Sequence, residues 1–448
     1  MFAVFLLGGG SRSDLASLPF LRGLAAMLIG YGLLSLGPGD WRSVRVPVLL
    51  LAGAALWMIV QLVPLPHDWW AALPRRDVIA RLDAMLGYPD LSRPISFAPS
   101  MTWNSLLSLT VPVCALVLAG TLTFAELRDA LKYVVGIALI SVAAGVLQKM
   151  GGAGSPAYLY RITNVDSMVG LFANRNHSAA FLAAILVITA MFLRDELLKR
   201  KRQAMVVIGL GAAIALFVTI ILTTGSRAGL LVGGIAFLTT HYMVWSAQRK
   251  QRGQTASKAR GTRREPAALT IAKLAAPWVL LLFVAGLFLA SNQMNSLSRL
   301  ADLSVAADMR TQAGPVVLNM ADRFWLWGSG FGSFRWVFLI FEPDAMLGVQ
   351  YFNNAHNDWL ELLITGGLPA VLLLVAGLVW TALQFRGHGG WRTLDRRGDV
   401  RLPIAVVLLI FAIASIVDYP LRVPSLQAFV AILLVLLAKF RVSTGSAE

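Results

Sequence analysis

Residues 174–202 read NRNHSAAFLAAILVITAMFLRDELLKRKR, and this stretch decides the fold. An apolar run over 177–193 stands between Asn174-Arg175-Asn176-His177 and a basic cluster at 194–202. A helix needs roughly 20 apolar residues to cross the hydrocarbon of a bilayer. Lys and Arg concentrate in cytoplasmic connections, so the basic end is expected inside and the Asn-rich end outside.

The same pattern recurs along the chain. Candidate spans are 17–37, 46–65, 104–123, 129–149, 177–193, 204–222, 228–246, 269–290, 358–384, 403–418 and 425–440, with the short stretch Phe2 to Leu7 as a possible twelfth. Hydrophobic residues are 57% of the 448 and charged residues 14%, where a soluble domain carries about a quarter charged. The expected fold is an all-α integral membrane protein of about 12 helices, a single polytopic domain over 1–448. The net charge of +16 does not point to nucleic acid, because Lys and Arg gather in three short connections, 194–202, 249–264 and 386–401. These read as inside loops beside anionic membrane lipids, 247–268 being the basic cytoplasmic loop. Cys114, the one cysteine, lies in an apolar span, which excludes a disulfide framework and a CxxC metal site. The N-terminus lacks a basic region followed by a cleavage site, so no cleaved signal peptide is expected.

Alternation from the basic loops places 66–103, 150–176, 223–227, 291–357 and 418–424 outside, and the C-terminus inside. The N-terminus also falls inside if Phe2 to Leu7 inserts. Trp69, Trp70 and Trp103 read as an interfacial belt. The largest outside segment, 291–357, is expected to be partly helical, with Leu297, Leu300 and Leu303 at helical spacing over 291–310. Phe324-Trp325-Leu326-Trp327 is apolar enough to lie on the membrane or the bundle. Gly328-Ser329-Gly330-Phe331-Gly332 then breaks the helix, and without a following Lys-Ser it is no phosphate loop.

The unusual polar clusters fall at helix borders on one side, where polar groups are costly unless they face protein or water. His356, in Asn353-Asn354-Ala355-His356-Asn357-Asp358, is a candidate proton carrier near neutral pH. A cap by Asn357 or Asp358 is the competing account of that stretch. Arg227, after Thr223-Thr224-Gly225-Ser226, must snorkel, pair or bind an anion. Asn174, Arg175 and His177 suit sugar hydroxyls or simply cap a helix. Asp418 and Arg422, in Asp418-Tyr419-Pro420-Leu421-Arg422, either pair with each other or leave Asp418 to orient an imidazole or Arg227. Arg310 and Arg323 are further candidate anion ligands. Few carboxylates and no helically spaced His pair leave metal binding poorly supported, and no Ser-His-Asp order is evident.

In their order and spacing, Asn174-Arg175-Asn176-His177, Gly225-Ser226-Arg227-Ala228-Gly229, Gly328-Ser329-Gly330-Phe331-Gly332-Ser333-Phe334 and His356-Asn357-Asp358 with Leu360-Glu361-Leu362-Leu363 resemble the O-antigen ligase and O-antigen polymerase superfamily of bacterial envelopes. The closing Asp418-Tyr419-Pro420-Leu421-Arg422 is similar to that of exopolysaccharide polymerase-like members. The resemblance runs from about residue 160 to the C-terminus. It implies a GT-C-like glycosyltransferase of the bacterial inner membrane, with a large periplasmic loop and its active site facing the periplasm. Such an enzyme takes a glycan from undecaprenyl diphosphate and transfers it to an acceptor hydroxyl without metal or cofactor. The family's catalytic His falls on His356, its late acidic residue on Asp418, and its diphosphate-binding arginines on Arg227 and Arg310, with Arg323 a rival. Asn174, Arg175, His177, Asn357 and Arg422 are the expected glycan-binding residues. Two arginines suffice to stabilise a diphosphate leaving group, and a base at the acceptor hydroxyl completes an inverting displacement.

Ligase and polymerase share this chemistry and differ in acceptor. The expected acceptor is a carrier-linked repeat for a polymerase and lipid A-core for a ligase, with a chain-length regulator as a further partner. The Asn-Arg-Asn-His run and the Asp-Tyr-Pro-Leu-Arg ending incline to the polymerase. A lipid-linked glycan flippase is the reading from another class, but transporters cluster polar residues near the midplane.

Overall fold

The computed structural model describes residues 1–165, 167–258, 305–348, 352–386 and 396–445. The helices in chain order are α1 (Phe2–Leu7), α2 (Leu18–Ser35), α3 (Pro38–Leu62), α4 (His67–Ala71), α5 (Asp77–Met85), α6 (Pro99–Ser108), α7 (Thr110–Thr121), α8 (Phe124–Gly151), α9 (Arg175–Leu197), α10 (Ala204–Thr223) and α11 (Arg227–Lys258). After residue 304 follow α12 (Val305–Phe324), α13 (Phe334–Phe341), α14 (Asp358–Gln384), α15 (Arg401–Val417) and α16 (Pro424–Gly445). Two two-residue strands, β1 (Pro64–Leu65) and β2 (Arg93–Pro94), pair antiparallel. The architecture is all-α, as the hydropathy predicts. Among the described residues nine helices are long and apolar enough to cross a bilayer, α6 and α7 counting as one, and α15 is a shorter apolar helix of 17 residues. The expected span 269–290 and most of the segment 291–310 lie outside the described residues.

One expected span is corrected. α1 has six residues, about 9 Å of helix against a hydrocarbon of about 30 Å. It is a plug instead. Phe5 is buried with its ring 5.1 Å from that of Phe181. The chain after it is tied to the end of the bundle where α9 and α16 begin: Ala173 N donates to Gly9 O at 3.1 Å and Ser425 N to Gly8 O at 3.0 Å. The N-terminal segment therefore shares the side of residues 171–177, not the basic side.

α9 is the axis of the fold. Of its most apolar window 94% is buried, because α8, α10, α11 and α15 all pack on it. Phe172, Phe181, Phe411 and Phe429 join in the main core cluster around it. Running 23 residues, it carries His177 at one end and Arg194, Asp195 and Glu196 at the other. We call these the site end and the basic end.

The two long connections at the site end join into one cap. The glycine run after α12 is clasped by α14. Ser329 N donates to Ile364 O at 2.8 Å, Gly330 N to Thr365 O at 3.0 Å, and Leu368 N to Leu326 O at 3.1 Å. These carbonyls are available because α14 breaks at Gly367, which has φ 65° and ψ −166°. A Cβ on Gly367 would meet Gly328 N at 2.5 Å, so the break and the close approach both require glycine. Gln61 completes the clasp, donating to Trp327 O at 3.1 Å and Thr365 O at 3.0 Å and accepting from Phe331 N at 3.1 Å. From the other connection Phe97 N donates to Ser329 O at 2.9 Å, and the rings of Phe97 and Phe324 meet edge-on at 5.6 Å.

Sidedness is open to a direct test. Cys114 is buried, so background labelling is low. An impermeant thiol reagent applied from outside is expected to modify Asn319→Cys on α12 but not Lys201→Cys at the basic end. The reverse pattern would overturn the assignment of the site end to the outer face.

Candidate active site

The first turn of α9 begins at Asn174, whose side-chain oxygen caps Asn176 N at 2.8 Å. Capping thus accounts for half of that amide. The other half points elsewhere: Asn174 Nδ2 donates to Asp418 Oδ2 at 3.4 Å, and Asn176 Nδ2 donates to the same oxygen. Asp418 ends α15 and is buried. Its other oxygen faces two imidazoles, with Oδ1 3.7 Å from His177 Nε2 and 3.9 Å from His356 Nδ1. Burial pushes this carboxyl up, but His177, Asn176 and His356 outweigh it and hold Asp418 well below the usual carboxylate range. Burial, then the Asp418 charge, push the neighbouring Tyr419 hydroxyl up to about 12, so it stays protonated. The Tyr419 ring lies between the imidazoles, 5.3 Å from His177 and 5.2 Å from His356.

His356 stands in the left-handed region, with φ 49°. A non-glycine residue costs about 1 kcal/mol there, so the surroundings must hold it. Ala355 N donates to Glu361 Oε2 at 2.8 Å on one side. On the other, Asn357 caps α14, its Oδ1 accepting from Leu360 N at 3.0 Å. The His356 ring rests 5.4 Å from that of Phe352, which packs 5.0 Å from Phe338 of α13. The side chain is 19% exposed, so it reaches solvent while Asp418 does not.

Asp418 and Arg422 do not pair with each other. Arg422 turns to the start of α14, donating from Nε to Asp358 Oδ1 at 3.0 Å and from Nη1 to Glu361 Oε1 at 2.6 Å and Asn354 Oδ1 at 3.2 Å. Burial would lower the Arg422 pKa, but Glu361 and Asp358 raise it above the usual arginine value. Arg422 therefore locks the His356 loop to the α15–α16 connection.

The expected anion ligands are placed less closely. Arg227 is exposed and opens α11. Gly229, two residues on, lies so close to α9 that a Cβ would meet Ala179 Cβ at 2.5 Å, which sets the Arg227 turn beside the first turns of α9. Gly225 takes the positive φ of 66° that this turn needs. Arg323 is exposed in the last turn of α12. Arg310 lies on α12, and its side chain is outside the described ones. Arg175 is half-buried beside His177, its N–H donating to Asn164 Oδ1 at 3.0 Å. Asn176, Tyr419 and Glu361 stand in the quoted motifs without a role of their own, and Gln61 carries no sequence signal.

Residues 211–375 match the family model described as O-Antigen ligase. Over this segment the chain is similar to an O-antigen ligase domain. The match supports the O-antigen ligase and polymerase superfamily, and with it a multi-pass membrane enzyme performing glycosyl transfer of the ligase or polymerase type. The matched O-antigen ligase segment contains Arg227, the glycine run and His356, whereas Asn174 to His177 and Asp418 to Arg422 lie outside it. The fold joins these outer pieces to the domain through Asp418 and Arg422. A comparison with curated proteins finds no match.

If Arg227 clamps a diphosphate, Arg227→Lys keeps the charge but loses the planar fork. The variant is expected to insert normally and lose most transfer activity, measured as product per folded protein. Near-normal turnover would reduce Arg227 to a structural role.

Proposed function

We propose that this protein transfers a glycan from undecaprenyl diphosphate to an acceptor hydroxyl at the periplasmic face of the bacterial inner membrane, polymerising O-antigen or exopolysaccharide repeats. The observation that supports the reading is the placing of a partly exposed imidazole, His356, against a buried carboxylate, Asp418, in a chain whose residues 211–375 match the O-antigen ligase family model.

In this mechanism His356 Nδ1 faces Asp418, and Nε2 takes the proton of the acceptor hydroxyl. Asp418 orients the ring and stabilises the imidazolium that forms. The acceptor oxygen bonds to the anomeric carbon as the bond to the diphosphate breaks, with inversion and no covalent enzyme intermediate. Arg227, with Arg310 or Arg323, stabilises the departing diphosphate. Asn174, Arg175 and Asn357 line the approach for the glycan, whereas His177, expected beside them, is buried against Asp418 and positions that carboxylate instead. Metal independence is part of the proposal: Asp358 and Glu361 are bound to Arg422 and Asp418 to amides and imidazoles, so these carboxylates already have partners.

The family description favours a second reading, a ligase that uses lipid A-core. Purified protein incubated with a carrier-linked repeat in excess chelator separates the two. Lengthened glycan without lipid A-core is the expected result, and single transfer only when lipid A-core is added would identify a ligase. No product in chelator, restored by Mg²⁺ or Mn²⁺, would rule out the arginine-only account.

A further inference from the structure

The basic end of the bundle holds a second built feature, some 18 residues down α9 from His177, or about 27 Å. A cavity of about 510 Å³ opens between α8, α9 and α10. Four cationic side chains line it, Arg128 and Lys132 from α8, Lys199 after α9, and Arg397 before α15. Two carboxylates of the lining, Asp195 and Glu196, oppose them, and Lys132 also pairs with the exposed Asp129 at 2.6 Å, which leaves one positive charge in excess.

The acidic pair is already engaged. Asp195 accepts from Arg128, from Arg194 Nε at 2.9 Å and from Gly398 N at 3.2 Å, while Glu196 accepts from Lys199 and from Gln203 N at 2.9 Å. Arg194 is fully buried and also donates to Asp399 O at 2.7 Å, so Asp195 is shared between two guanidinium groups. The Nε of Arg128 is buried without a hydrogen-bond partner. A buried donor left unmade is costly, and here it belongs to a side chain lining the cavity.

The other wall is apolar, formed by Val135, Phe192, Val206 and Leu210. On α10, Met205 and Ile208 beside Val206 are exposed, as is Tyr133 beside Lys132 on α8. The cavity thus has a cationic rim and an apolar flank continuous with exposed apolar surface. A free anion would use the rim and leave the flank idle. An anionic phospholipid uses both, its phosphate at the rim and the start of its chains along α10.

We propose that this cavity binds the headgroup of an anionic phospholipid from the leaflet at the basic end. The site is separate from the His356 and Asp418 cluster and does not depend on the transfer reaction.

Native mass spectrometry of the full-length protein tests it, with dioleoyl phosphatidylglycerol and dioleoyl phosphatidylcholine as probes. Phosphatidylglycerol adducts are expected to exceed phosphatidylcholine adducts. One cation near an anionic headgroup contributes about fivefold in affinity, so Lys132→Gln with Arg397→Gln is expected to weaken phosphatidylglycerol retention about 25-fold. Both side chains are outside the Asp195 network, and Arg397 is exposed, so the fold is retained. Val206→Trp fills the apolar flank without changing charge and is expected to abolish the adduct. Arg42→Gln with Arg45→Gln, the same charge change at the exposed start of α3, is expected to leave it unchanged. Equal retention of the two lipids, no effect of either cavity variant, or an equal loss in the α3 variant would overturn the proposal. So would displacement of the lipid by equimolar inorganic phosphate, which would assign the rim to a free anion.

Discussion

His356→Ala is expected to abolish detectable glycan transfer while the protein inserts, folds and still binds carrier-linked donor. Removing a positioned general base typically costs about 10²–10⁴-fold in rate. His356→Gln is expected to fail equally, because an amide hydrogen-bonds but does not take the proton. The side chain is 19% exposed and held by ring contacts to Phe352 and Tyr419, and its loss leaves the buried Asp418 still partnered by Asn174, Asn176 and His177. The decisive measurement is product formed by His356→Gln at saturating donor. Substantial chain growth by that variant would sink the general-base role and move it to Asp418, the buried carboxylate behind the ring.

Arg422→Met is expected to be the most destabilising substitution at the site end. Its carboxylate partner Glu361 is 1% exposed, and Asp358 accepts from the same guanidinium. Removing one partner of a buried ion pair strands the other charge and costs about 3–5 kcal/mol. The lower end applies here, since the Arg422 side chain is 30% exposed and water reaches it. Activity is expected to fall with stability, because Glu361 also anchors Ala355 next to His356. Thermal unfolding in detergent measures the first effect. Restoration of stability by the triple change Arg422→Met, Asp358→Asn and Glu361→Gln would confirm that stranded charge is the cause. An unchanged melting temperature in Arg422→Met would show that the pair contributes nothing.

Hydropathy made most of the architecture legible, since a span is a local property of about 20 residues. The failures are where the governing interaction is distant in sequence. Phe2 to Leu7 is apolar because Phe5 packs on Phe181, not because the segment crosses anything. Asp418 and Arg422 sit four residues apart and invite a mutual pair, yet Arg422 is bound 64 residues away at Asp358. Gln61, in an unremarkable apolar span, could not be read as the clasp on a glycine run whose Phe331 lies 270 residues further on. The grouping of His177, His356 and Asp418 was legible only as an expectation that border clusters converge. Their distances come from the way α9, α14 and α15 end at one level. Asn174 and Asn357 serve as helix caps, which their types and positions announced.

The burial of α9 has a consequence for how the chain is made. Ribosome and insertion machinery deliver this helix before α10, α11 and α15 exist, so at that moment it has lipid or insertase where its neighbours will be. Its sequence is tuned for the finished state: Ser178, Thr189, Arg194 and Asp195 are all buried against protein, and hydrocarbon is a poor substitute for those partners. Biosynthesis must therefore shelter the helix until the last third of the chain arrives to enclose it. Completion of the active enzyme is thus a late event, timed by the synthesis of α15, whose C-terminal end carries Asp418 to the histidine waiting at the head of α9.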